Sequence, residues 1–372
     1  MLTPMALGPT RQITVDKVLG WDEAEGIVRA AILSAPQQII LDQRVLPEPG
    51  AGELLVRVAY VAICGSDLAR FWGATDARAR PLVFGHEFSG WVHALGPGVT
   101  GHRPGEPVTV APLLTCGRCR YCQSGQEHLC RQRQVFGKDA DGAAQEYVVV
   151  PAHRAYQLPP AQLLAEGALV EPLAVAVHAL RRAEVSDRDT VLVFGAGAIG
   201  LLAAQALKVH APACLAIADI NPQRLALART LGVETVLSER QALRSWLAQT
   251  SSEGVSLVIE ASGAPAVLDL LPSLLAPSGR VVLVGKFPSP TAVDFDHLLR
   301  QEADLHFSRY FTAADFETAL HLLVEGRVQV SPLVQARIPA SHLAADSGRV
   351  VMTQAKQVVR ALLDWQEGST SN

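Results

Sequence analysis

The sequence predicts an α/β protein of two domains, one rich in β-strands and the other built around a doubly wound parallel sheet. The chain has 372 residues, which is long enough for two domains. Residues 28–59 contain short runs of β-type residues interrupted by prolines and glycines, a pattern typical of antiparallel hairpins. From Asp189 onward, predicted strands and helices alternate, and this alternation predicts a parallel sheet.

Composition and charge favour a small-molecule partner over a nucleic acid or a membrane. The 32 lysines and arginines against 36 acidic residues give a net charge of -4, so the chain has no general basic field. The most apolar stretch, residues 191–207, contains three glycines and is typical of a strand followed by a helix rather than of a membrane span. Residues 1–25 are charged and lack a secretory apolar core, so we expect a cytoplasmic protein with an N-terminal extension over residues 1–25.

The first domain contains residues that are the usual ligands of a catalytic zinc ion. Cys64 follows the β-rich region, His86 and Glu87 come next in the chain, and Glu171 lies further on. Thiolate, imidazole and carboxylate are the ligand types of a zinc that keeps one position open. A packed core cysteine, a turn histidine and surface acids are the alternatives. We interpret Cys64 and His86 as fixed ligands, with Glu87 and Glu171 sharing or exchanging the remaining place.

A second set of thiols lies in one short segment, TCGRCRYCQSGQEHLC. Its four cysteines follow a Cys-x2-Cys-x2-Cys-x7-Cys pattern and are Cys116, Cys119, Cys122 and Cys130. Four thiolates at this spacing predict a closed, structural zinc site, in a lobe of about residues 112–133. Iron–sulfur ligation and two disulfides are the rivals, and a reducing compartment disfavours the disulfides.

The segment VLVFGAGAIG, residues 191–200, is typical of a turn that binds a dinucleotide. A short apolar strand ends in Gly195, Gly197 and Gly200, which form a G-x-G-x-x-G motif at the start of a helix. This turn, with Ile199, is predicted to hold the cofactor pyrophosphate at the helix N-terminus. Asp219 ends the next apolar run, where a carboxylate can bind the ribose 2′-hydroxyl of NAD and repel the 2′-phosphate of NADP.

The remaining cofactor candidates follow from the predicted order of strands and helices, because ligands bind beyond the carboxyl ends of parallel strands. The predicted strands cover residues 190–194, 214–218, 234–237, 255–259, 280–285 and 304–308. The predicted helices cover residues 198–210, 222–231, 239–250, 265–276, 294–301 and 314–325. The loops after the strands supply Ser262, Val284, Gly285 and Arg309, and Arg224 begins the helix after Asp219. A solvated helix face is the alternative for Arg224.

These motifs occur in an order that resembles the zinc-dependent medium-chain alcohol dehydrogenase family. The match runs from about residue 28 to residue 363. Glutamate at position 171 and the segment Phe307-Ser308-Arg309-Tyr310 are similar to the polyol branch, which includes sorbitol and galactitol-1-phosphate dehydrogenases.

This resemblance implies a GroES-like catalytic domain over residues 26–178 and 313–372, and a Rossmann domain over residues 179–312. It also implies two zinc ions per chain, a nicotinamide cofactor near Arg309, and a homodimer or homotetramer. Ser66 takes the role of the residue that passes the substrate proton outward. Many relatives continue this relay through a histidine five residues after the cysteine, where this chain has Ala69, so the exit of the proton stays open.

Together the residues and the resemblance predict an NAD-dependent zinc dehydrogenase of a secondary alcohol, a polyol or a sugar-alcohol phosphate. A threonine- or butanediol-type dehydrogenase of the same family is an alternative. A nucleotide-binding relative without turnover is a second alternative, since fold alone does not establish function. The complete ligand set argues against this second alternative and against a zinc-free quinone or enoyl reductase.

Overall fold

The computed structural model describes residues 26–74, 81–159, 163–343 and 347–366. The predicted N-terminal extension, residues 1–25, lies outside these ranges. Within them, the chain forms an antiparallel β-rich region and a parallel sheet flanked by helices, which confirms the predicted α/β class.

The β-rich region contains a three-stranded sheet and a larger sheet around β3. The small sheet has the order β2-β1-β4, and β7 and β8 form a separate two-stranded antiparallel sheet. The larger sheet has the order β10-β6-β5-β3-β18-β17, and β9 also pairs with β3. These strands are β1 (Ile27–Ala35), β2 (Gln38–Val45), β3 (Glu53–Ala62), β4 (Leu82–Val83), β5 (Glu87–Leu95), β6 (Pro107–Val110), β7 (Leu113–Leu114), β8 (Gln134–Val135), β9 (Tyr147–Pro151), β10 (Ala155–Gln157), β17 (Val334–Pro339) and β18 (Arg360–Asp364).

The cofactor-type region is a six-stranded sheet with the order β13-β12-β11-β14-β15-β16, in which neighbouring strands are parallel. This is the doubly wound order of a dinucleotide-binding sheet, whose crevice lies where the strand order reverses beside β11. Its strands are β11 (Thr190–Phe194), β12 (Cys214–Asp219), β13 (Glu234–Leu237), β14 (Val255–Glu260), β15 (Leu275–Leu283) and β16 (Asp304–Phe307).

Twelve α-helices are assigned in the described ranges. The helices of the first half are α1 (Gly65–Phe71), α2 (Arg120–Gln123), α3 (Leu164–Gly167), α4 (Val170–Ala183), α5 (Ala198–His210) and α6 (Pro222–Thr230). The helices of the second half are α7 (Arg240–Thr250), α8 (Pro265–Leu268), α9 (Leu271–Leu274), α10 (Phe295–Arg300), α11 (Ala313–Val324) and α12 (Gly348–Gln357). None of them has the length and apolar character needed to traverse a lipid bilayer.

The predicted single helix over residues 265–276 is wrong. The chain forms two short helices there, α8 and α9, and β15 already begins at residue 275. Pro272 lies in the first turn of α9, and because proline has no N–H it cannot donate to the carbonyl of Leu268 and continue α8. Pro277 and the left-handed Ser278 (φ 56°) then make the start of β15 irregular.

The two regions share one hydrophobic core. Leu173 of α4, Leu201 of α5 and Phe316 of α11 are fully buried in this core, together with residues from both large sheets. The predicted domain boundary after residue 178 falls within α4, and the boundary after residue 312 falls where α11 begins. Strands β17 and β18 follow α11 in the chain and extend the larger β-rich sheet next to β3, so that sheet combines strands from before and after the parallel sheet.

Candidate active site

Strand register brings Cys64 and His86 together although they are distant in sequence. Strand β3 pairs antiparallel with β5, and Ala62 lies opposite Glu87. The chain therefore leaves β3 at Cys64 beside the point where it enters β5 at His86 and Glu87. Gly85 makes this entry possible, because it has φ +88° and a Cβ there would lie 2.7 Å from a side-chain carbon of Val61.

The side chains at this point form a cluster with the donor types of a zinc site. One ligand atom each from Cys64, His86 and Glu87 lies within 4.8 Å of the others. His86 Nδ1 and Glu87 Oε2 are buried and have no hydrogen-bond partner among the described residues. Buried polar atoms rarely lack partners, and a metal ion is one of the groups that explain such atoms. The cluster fits zinc by its donor chemistry.

Two charged residues that sequence reasoning missed flank the cluster. Asp67 Oδ1 lies 3.6 Å from His86 Nδ1, and Asp67 Oδ2 accepts a hydrogen bond from the backbone N–H of Cys64 at 3.0 Å. Arg360, the first residue of β18, donates to Glu87 Oε1 at 3.1 Å. Such partners orient metal ligands. The acidic residue three positions into α1 is a helix-start signal that could have identified Asp67, whereas nothing local in the sequence marks Arg360.

The ionisable groups of the cluster influence one another strongly. Burial opposes ionisation of Cys64, but the charge and hydrogen bond of His86, together with the charges of Arg360 and Lys138, outweigh it and lower the pKa of the thiol well below its ordinary value. Burial also opposes charge on His86, yet Asp67 and Cys64 raise the pKa of the imidazole well above its ordinary value. Burial raises the pKa of Glu87 and, to a smaller extent, the pKa of Glu171. A divalent cation would favour the ionised carboxylates.

Glu171 and Ser66 lie near the cluster, but neither contributes one of the three ligand atoms that lie within 4.8 Å of one another. Glu171 is buried in the first turn of α4, and its charge acts on Cys64, His86 and Glu87 through space, but its carboxylate is not among the atoms within 4.8 Å of one another. Ser66 lies on α1, two residues after Cys64, and its Oγ is buried without a hydrogen-bond partner in the described residues. The hydroxyl is free to bond with a substrate.

The four cysteines of the predicted lobe form a second cluster. All six cysteines of the chain are free thiols, which argues against the disulfide alternative. The sulfur–sulfur distances are 3.5 Å for Cys119–Cys122, 3.6 Å for Cys116–Cys130 and 3.9 Å for Cys116–Cys122. Four sulfurs placed about 2.3 Å from a tetrahedral zinc would be about 3.8 Å apart. The spacing therefore fits a closed zinc site.

The glycine turn after β11 has the geometry of a pyrophosphate-binding loop. A Cβ at Gly200 would lie 1.8 Å from the carbonyl oxygen of Gly195, so this glycine allows α5 to pack closely against the turn. A Cβ at Gly197 would meet nothing within 4 Å, so open space lies beside this glycine. Gly197 is the N-cap of α5 and no side chain caps the helix, while Ile199 is half-buried in its first turn. The uncapped backbone N–H groups suit an anion.

Asp219 lies directly against this turn at the end of β12. Its carboxylate accepts hydrogen bonds from the backbone N–H of Ala196 at 2.6 Å and of Asn221 at 2.8 Å. Asn221 also caps α6 by accepting from the N–H groups of Gln223 and Arg224, at 2.8 and 3.3 Å. Arg224 is half-buried in the first turn of α6, next to this end of the sheet.

The other cofactor candidates lie at the same edge of the sheet. The fully buried Glu260 ends β14, and its carboxylate accepts from the N–H groups of Ser262 and Gly263 at 2.8 and 2.9 Å. The backbone N–H groups of Val284 and Gly285 donate to the carbonyl of Glu260, both at 2.9 Å. Arg309 is exposed on the loop after β16, and its guanidinium donates to the hydroxyl of Tyr310 at 3.1 Å.

Comparison with known families identifies both regions. Residues 50–160 match the model of the alcohol dehydrogenase GroES-like domain, and residues 198–325 match the model of the zinc-binding dehydrogenase. The chain is 31% identical to the starvation-sensing protein RspB of Escherichia coli strain K12, across 91% of this chain and 100% of RspB. It is 32% identical to galactitol 1-phosphate 5-dehydrogenase of the same strain, across 85% of this chain and 91% of that enzyme.

Solved structures show the same fold. A crystal structure of RspB from Escherichia coli CFT073 complexed with NADH has a TM-score of 0.83 at 30% identity and covers 91% of this chain and 100% of that chain. A putative zinc-binding dehydrogenase from Sinorhizobium meliloti 1021 bound to NADP has a TM-score of 0.82 at 27% identity, with the same coverage of 91% and 100%. The chain therefore belongs to the zinc-dependent medium-chain alcohol dehydrogenase family, with relatives in its polyol branch, as the sequence motifs predicted.

Proposed function

We propose that this protein is an NAD-dependent zinc dehydrogenase that oxidises a secondary alcohol, either a polyol or a sugar-alcohol phosphate. The observation that carries the proposal is the cluster of Cys64, His86 and Glu87, whose ligand atoms lie within 4.8 Å of one another. Glu87 Oε2 is buried there without a hydrogen-bond partner among the described residues. A nucleotide-binding relative without turnover would not need such a cluster. The polyol part of the proposal draws on the relatives, which include galactitol 1-phosphate 5-dehydrogenase.

Each chain would hold two zinc ions, one in the Cys64 cluster and one among the four cysteines. In the first, Cys64, His86 and Glu87 are the ligands, and Glu171 is the residue that can replace Glu87 when the coordination changes. Asp67 orients the imidazole of His86, and Arg360 holds one oxygen of Glu87. Zinc at this position supplies Lewis acidity, which lowers the pKa of a substrate hydroxyl and favours loss of its proton near neutral pH.

Ser66 is the proposed first acceptor of the substrate proton. Its buried Oγ lacks a partner and lies two residues after Cys64, on the helix that begins at the cluster. A hydroxyl can accept one proton and donate its own in the same step, so Ser66 can pass the proton on without becoming charged. Ala69 cannot continue the relay, so the proton leaves by water or by the ribose hydroxyls of the cofactor.

NAD is the proposed cofactor because of Asp219. The carboxylate lies at the end of β12 against the glycine turn, where the ribose of the adenosine half binds in this fold. The 2′-phosphate of NADP would be repelled by this carboxylate, and removing the phosphate from water would add a further free-energy cost. The two structural relatives differ here, since one is complexed with NADH and the other is bound to NADP.

The direct test is a panel of substrates with the zinc-loaded protein. A hexitol, its 1-phosphate, threonine and 2,3-butanediol are each offered with NAD and with NADP, while absorbance at the reduced-cofactor band is followed. We expect NAD reduction with a polyol or its phosphate, and loss of this activity when a chelator removes the zinc. Threonine or butanediol as the best substrate would establish the alternative family member, and no reduction with any alcohol would refute the proposed function.

The assignment of Asp219 has its own test. Replacing Asp219 with alanine should raise the KM for NAD by about tenfold and should bring the KM for NADP closer to that for NAD, because one ribose hydrogen bond and one repulsive charge are lost. Asp296→Ala is the matched control, since the Asp296 side chain is 70% exposed on α10. A wild-type preference for NADP would contradict this assignment.

We also propose that the protein is a cytoplasmic homo-oligomer, either a dimer or a tetramer. Strand β16 is an edge of the parallel sheet, and the side chains of Phe307, Phe295 and Leu299 near that edge are exposed by 69%, 66% and 75%. A second copy would cover these apolar groups. Light scattering of the wild type and of Phe307→Lys tests this proposal, and a monomeric wild type would contradict it. Six free thiols suit a reducing compartment.

A further inference from the structure

Lys138 is held beside the Cys64 cluster by the loop that follows β8. The preceding residue, Gly137, approaches so closely that a Cβ on it would lie 2.7 Å from the backbone nitrogen of Gly85, the residue before His86. The backbone N–H of Lys138 donates to Val135 at 3.1 Å, and its carbonyl accepts from Arg70 of α1 at 3.2 Å. The backbone of Lys138 is therefore fixed next to the turn that carries His86.

The ammonium group of Lys138 lies between the cluster and the cofactor-type region. Its charge acts through space on Cys64, Asp67, His86 and Glu171. On the other side, Nζ is 5.9 Å from the ring centroid of Tyr310, in the loop after β16. Within the described ranges no carboxylate lies within ion-pair distance of this ammonium. Its position is thus the junction where a substrate hydroxyl and a nicotinamide would meet.

Two further cations surround the same aromatic ring. The guanidinium carbons of Arg133 and Arg309 lie 4.6 and 4.8 Å from the centroid of Tyr310. Arg133 donates to the carbonyl of His128 at 2.6 Å, but its Nε is buried without a hydrogen-bond partner in the described residues. An open groove of about 620 Å³ runs beside Arg133 and Lys138. Three cations, Arg131, Arg133 and Lys138, line this groove against one acid, Asp139, whose carboxylate accepts a hydrogen bond from the backbone N–H of Val135 at 3.0 Å. The lining therefore has an excess of positive charge.

Neutralising the cluster is the structural alternative for Lys138, because the charges of Cys64, Glu171 and Asp67 raise the pKa of its ammonium against the effect of burial. Asp67 already accepts from the backbone of Cys64 and lies beside His86, and Glu87 already has Arg360 as its partner. A bound zinc ion would add more positive charge to the same place. With zinc bound to these ligands, an ammonium that forms no ion pair beside the metal is costly unless an anion joins it. The substrate is the group that would enter this junction, so an anionic substrate would supply that negative charge.

We propose that Lys138 binds an anionic group of the substrate, a carboxylate or a phosphate, while the reacting hydroxyl lies at the Cys64 cluster. This proposal rests on the proposed function and narrows it, because the substrate class becomes hydroxy acids or polyol phosphates rather than neutral polyols. Arg133 is placed to add a second contact to the same anion. A charge-assisted hydrogen bond from a fixed ammonium would set which carbon of the substrate reaches the reacting position.

The test compares three matched substrates, namely a hexitol, its 1-phosphate and the corresponding hexonate, with wild type, Lys138→Met and Lys138→Arg. The measured quantity is kcat/KM for each anionic substrate divided by kcat/KM for the hexitol. We expect this ratio to fall about 100-fold in Lys138→Met, since truncating one partner of a buried charge pair has effects of this size, and to recover in part in Lys138→Arg. Lys356→Met, on the exposed face of α12, is the control and should keep the wild-type ratio.

The outcomes separate this proposal from the proposed function. A higher kcat/KM for the 1-phosphate indicates that the anion is a phosphate, and a higher kcat/KM for the hexonate indicates that it is a carboxylate. Either preference supports the proposal if Lys138→Met abolishes that preference. A wild type that oxidises the hexitol as well as both anions, with a ratio that Lys138→Met leaves unchanged, overturns the role of Lys138 while the dehydrogenase assignment stands. Absence of turnover with every alcohol refutes the proposed function first. Circular dichroism and zinc content check that Lys138→Met is folded, and Lys138→Gln replaces it if it is not.

Discussion

The two thiol-containing clusters of this protein are built in opposite ways. The four cysteines of the lobe come from one short segment, residues 116–130, and three of the four are only partly buried. The Cys64 cluster instead takes its side chains from the end of β3 and the start of β5, and receives Arg360 from the far end of the chain. A local site can fold around its metal, whereas the second site exists only when the β-rich sheet is complete.

The electrostatic surroundings of the two clusters also differ, since the lobe interacts locally and the Cys64 cluster interacts with charged side chains from distant parts of the chain. In the lobe, the pKa of Cys116 is lowered to about 6 by backbone hydrogen bonds, first that of Arg118, and burial raises the pKa of Cys122 to about 11. These thiols interact mainly with one another and with nearby backbone. Around Cys64, a histidine, three acids, an arginine and a lysine all act on the thiol or on one another. Closed sites serve stability and sites with charged neighbours serve chemistry, so the comparison predicts different consequences of losing each site.

The largest expected effect follows from replacing Cys64 with serine. Turnover should fall at least about 1,000-fold, because the Lewis acid that favours deprotonation of the substrate is lost or misplaced. Zinc measured by atomic absorption should drop from two ions per chain to one, and the melting temperature should change little. Cys214→Ser is the control, since Cys214 lies in β12 outside both clusters and should leave activity and zinc unchanged. Full activity in Cys64→Ser would remove the basis of the catalytic assignment.

Cys119→Ser should show the reverse pattern. Losing one of four thiolates opens the lobe, so the zinc content should also fall to one ion per chain, but the melting temperature should drop by about 5–10 °C. Protein that remains folded at low temperature should keep turnover within about tenfold of wild type. Differential scanning calorimetry with zinc analysis measures both quantities. A variant with unchanged thermal stability would show that the lobe has no structural role.

The smallest expected effect is on stability and follows from changing a buried carboxylate, that of Asp315, where the lobe contacts α4 and α11. His128 of the lobe contacts His178 of α4 edge to face, with ring centroids 4.7 Å apart and ring planes at 66°. His178 lies 2.8 Å from the buried carboxylate of Asp315, which also accepts from the backbone of Thr312 at 2.8 Å. Burial opposes the charge on Asp315, but the hydrogen bonds from His178 and Thr312 outweigh it and lower the pKa of this carboxyl below its ordinary 3.8.

Asp315→Asn should therefore destabilise the protein by about 2–3 kcal/mol at pH 7. Because the folded pKa lies below the unfolded value, the carboxylate contributes fully above about pH 4–5 and loses its contribution as the pH falls through the folded pKa. Urea denaturation across this pH range should show that the free energy of unfolding decreases less with falling pH in Asp315→Asn than in wild type. The exposed Asp296→Asn is the control and should change stability by less than about 0.5 kcal/mol. Identical pH profiles for wild type and Asp315→Asn would contradict this account.

The features predicted best from the sequence are those encoded within a few residues. The G-x-G-x-x-G turn, Asp219 at the end of the second strand of the sheet and the cysteine spacing each depend on local geometry, and the structure has the matching elements. The ligand pair Cys64 and His86 needed more than local information. Their donor types suggested them as ligands and the family resemblance supported this, while the pairing of Ala62 with Glu87 gives the physical reason that they meet.

What the sequence did not reveal depends on long-range packing. Arg360 reaches Glu87 only because β18 pairs with β3, with Leu362 opposite Ala62, and no spacing rule connects positions so far apart. Lys138 approaches the cluster because Gly137 packs on Gly85, a contact between two loops. The helix predicted over residues 265–276 is wrong for a local reason, since the alternation of strands and helices predicts one helix there and Pro272 divides it.

The central claim is that Cys64, His86 and a glutamate hold an open zinc site distinct from the four-cysteine site. Anomalous diffraction at the zinc absorption edge, from crystals of the full chain, measures this most directly. We expect two peaks per chain, one among the four cysteine sulfurs and one about 2.3 Å from Cys64 Sγ and about 2.0–2.1 Å from a ring nitrogen of His86. A single peak in the lobe, with Cys64 and His86 free of metal in zinc-saturated crystals, would contradict the account.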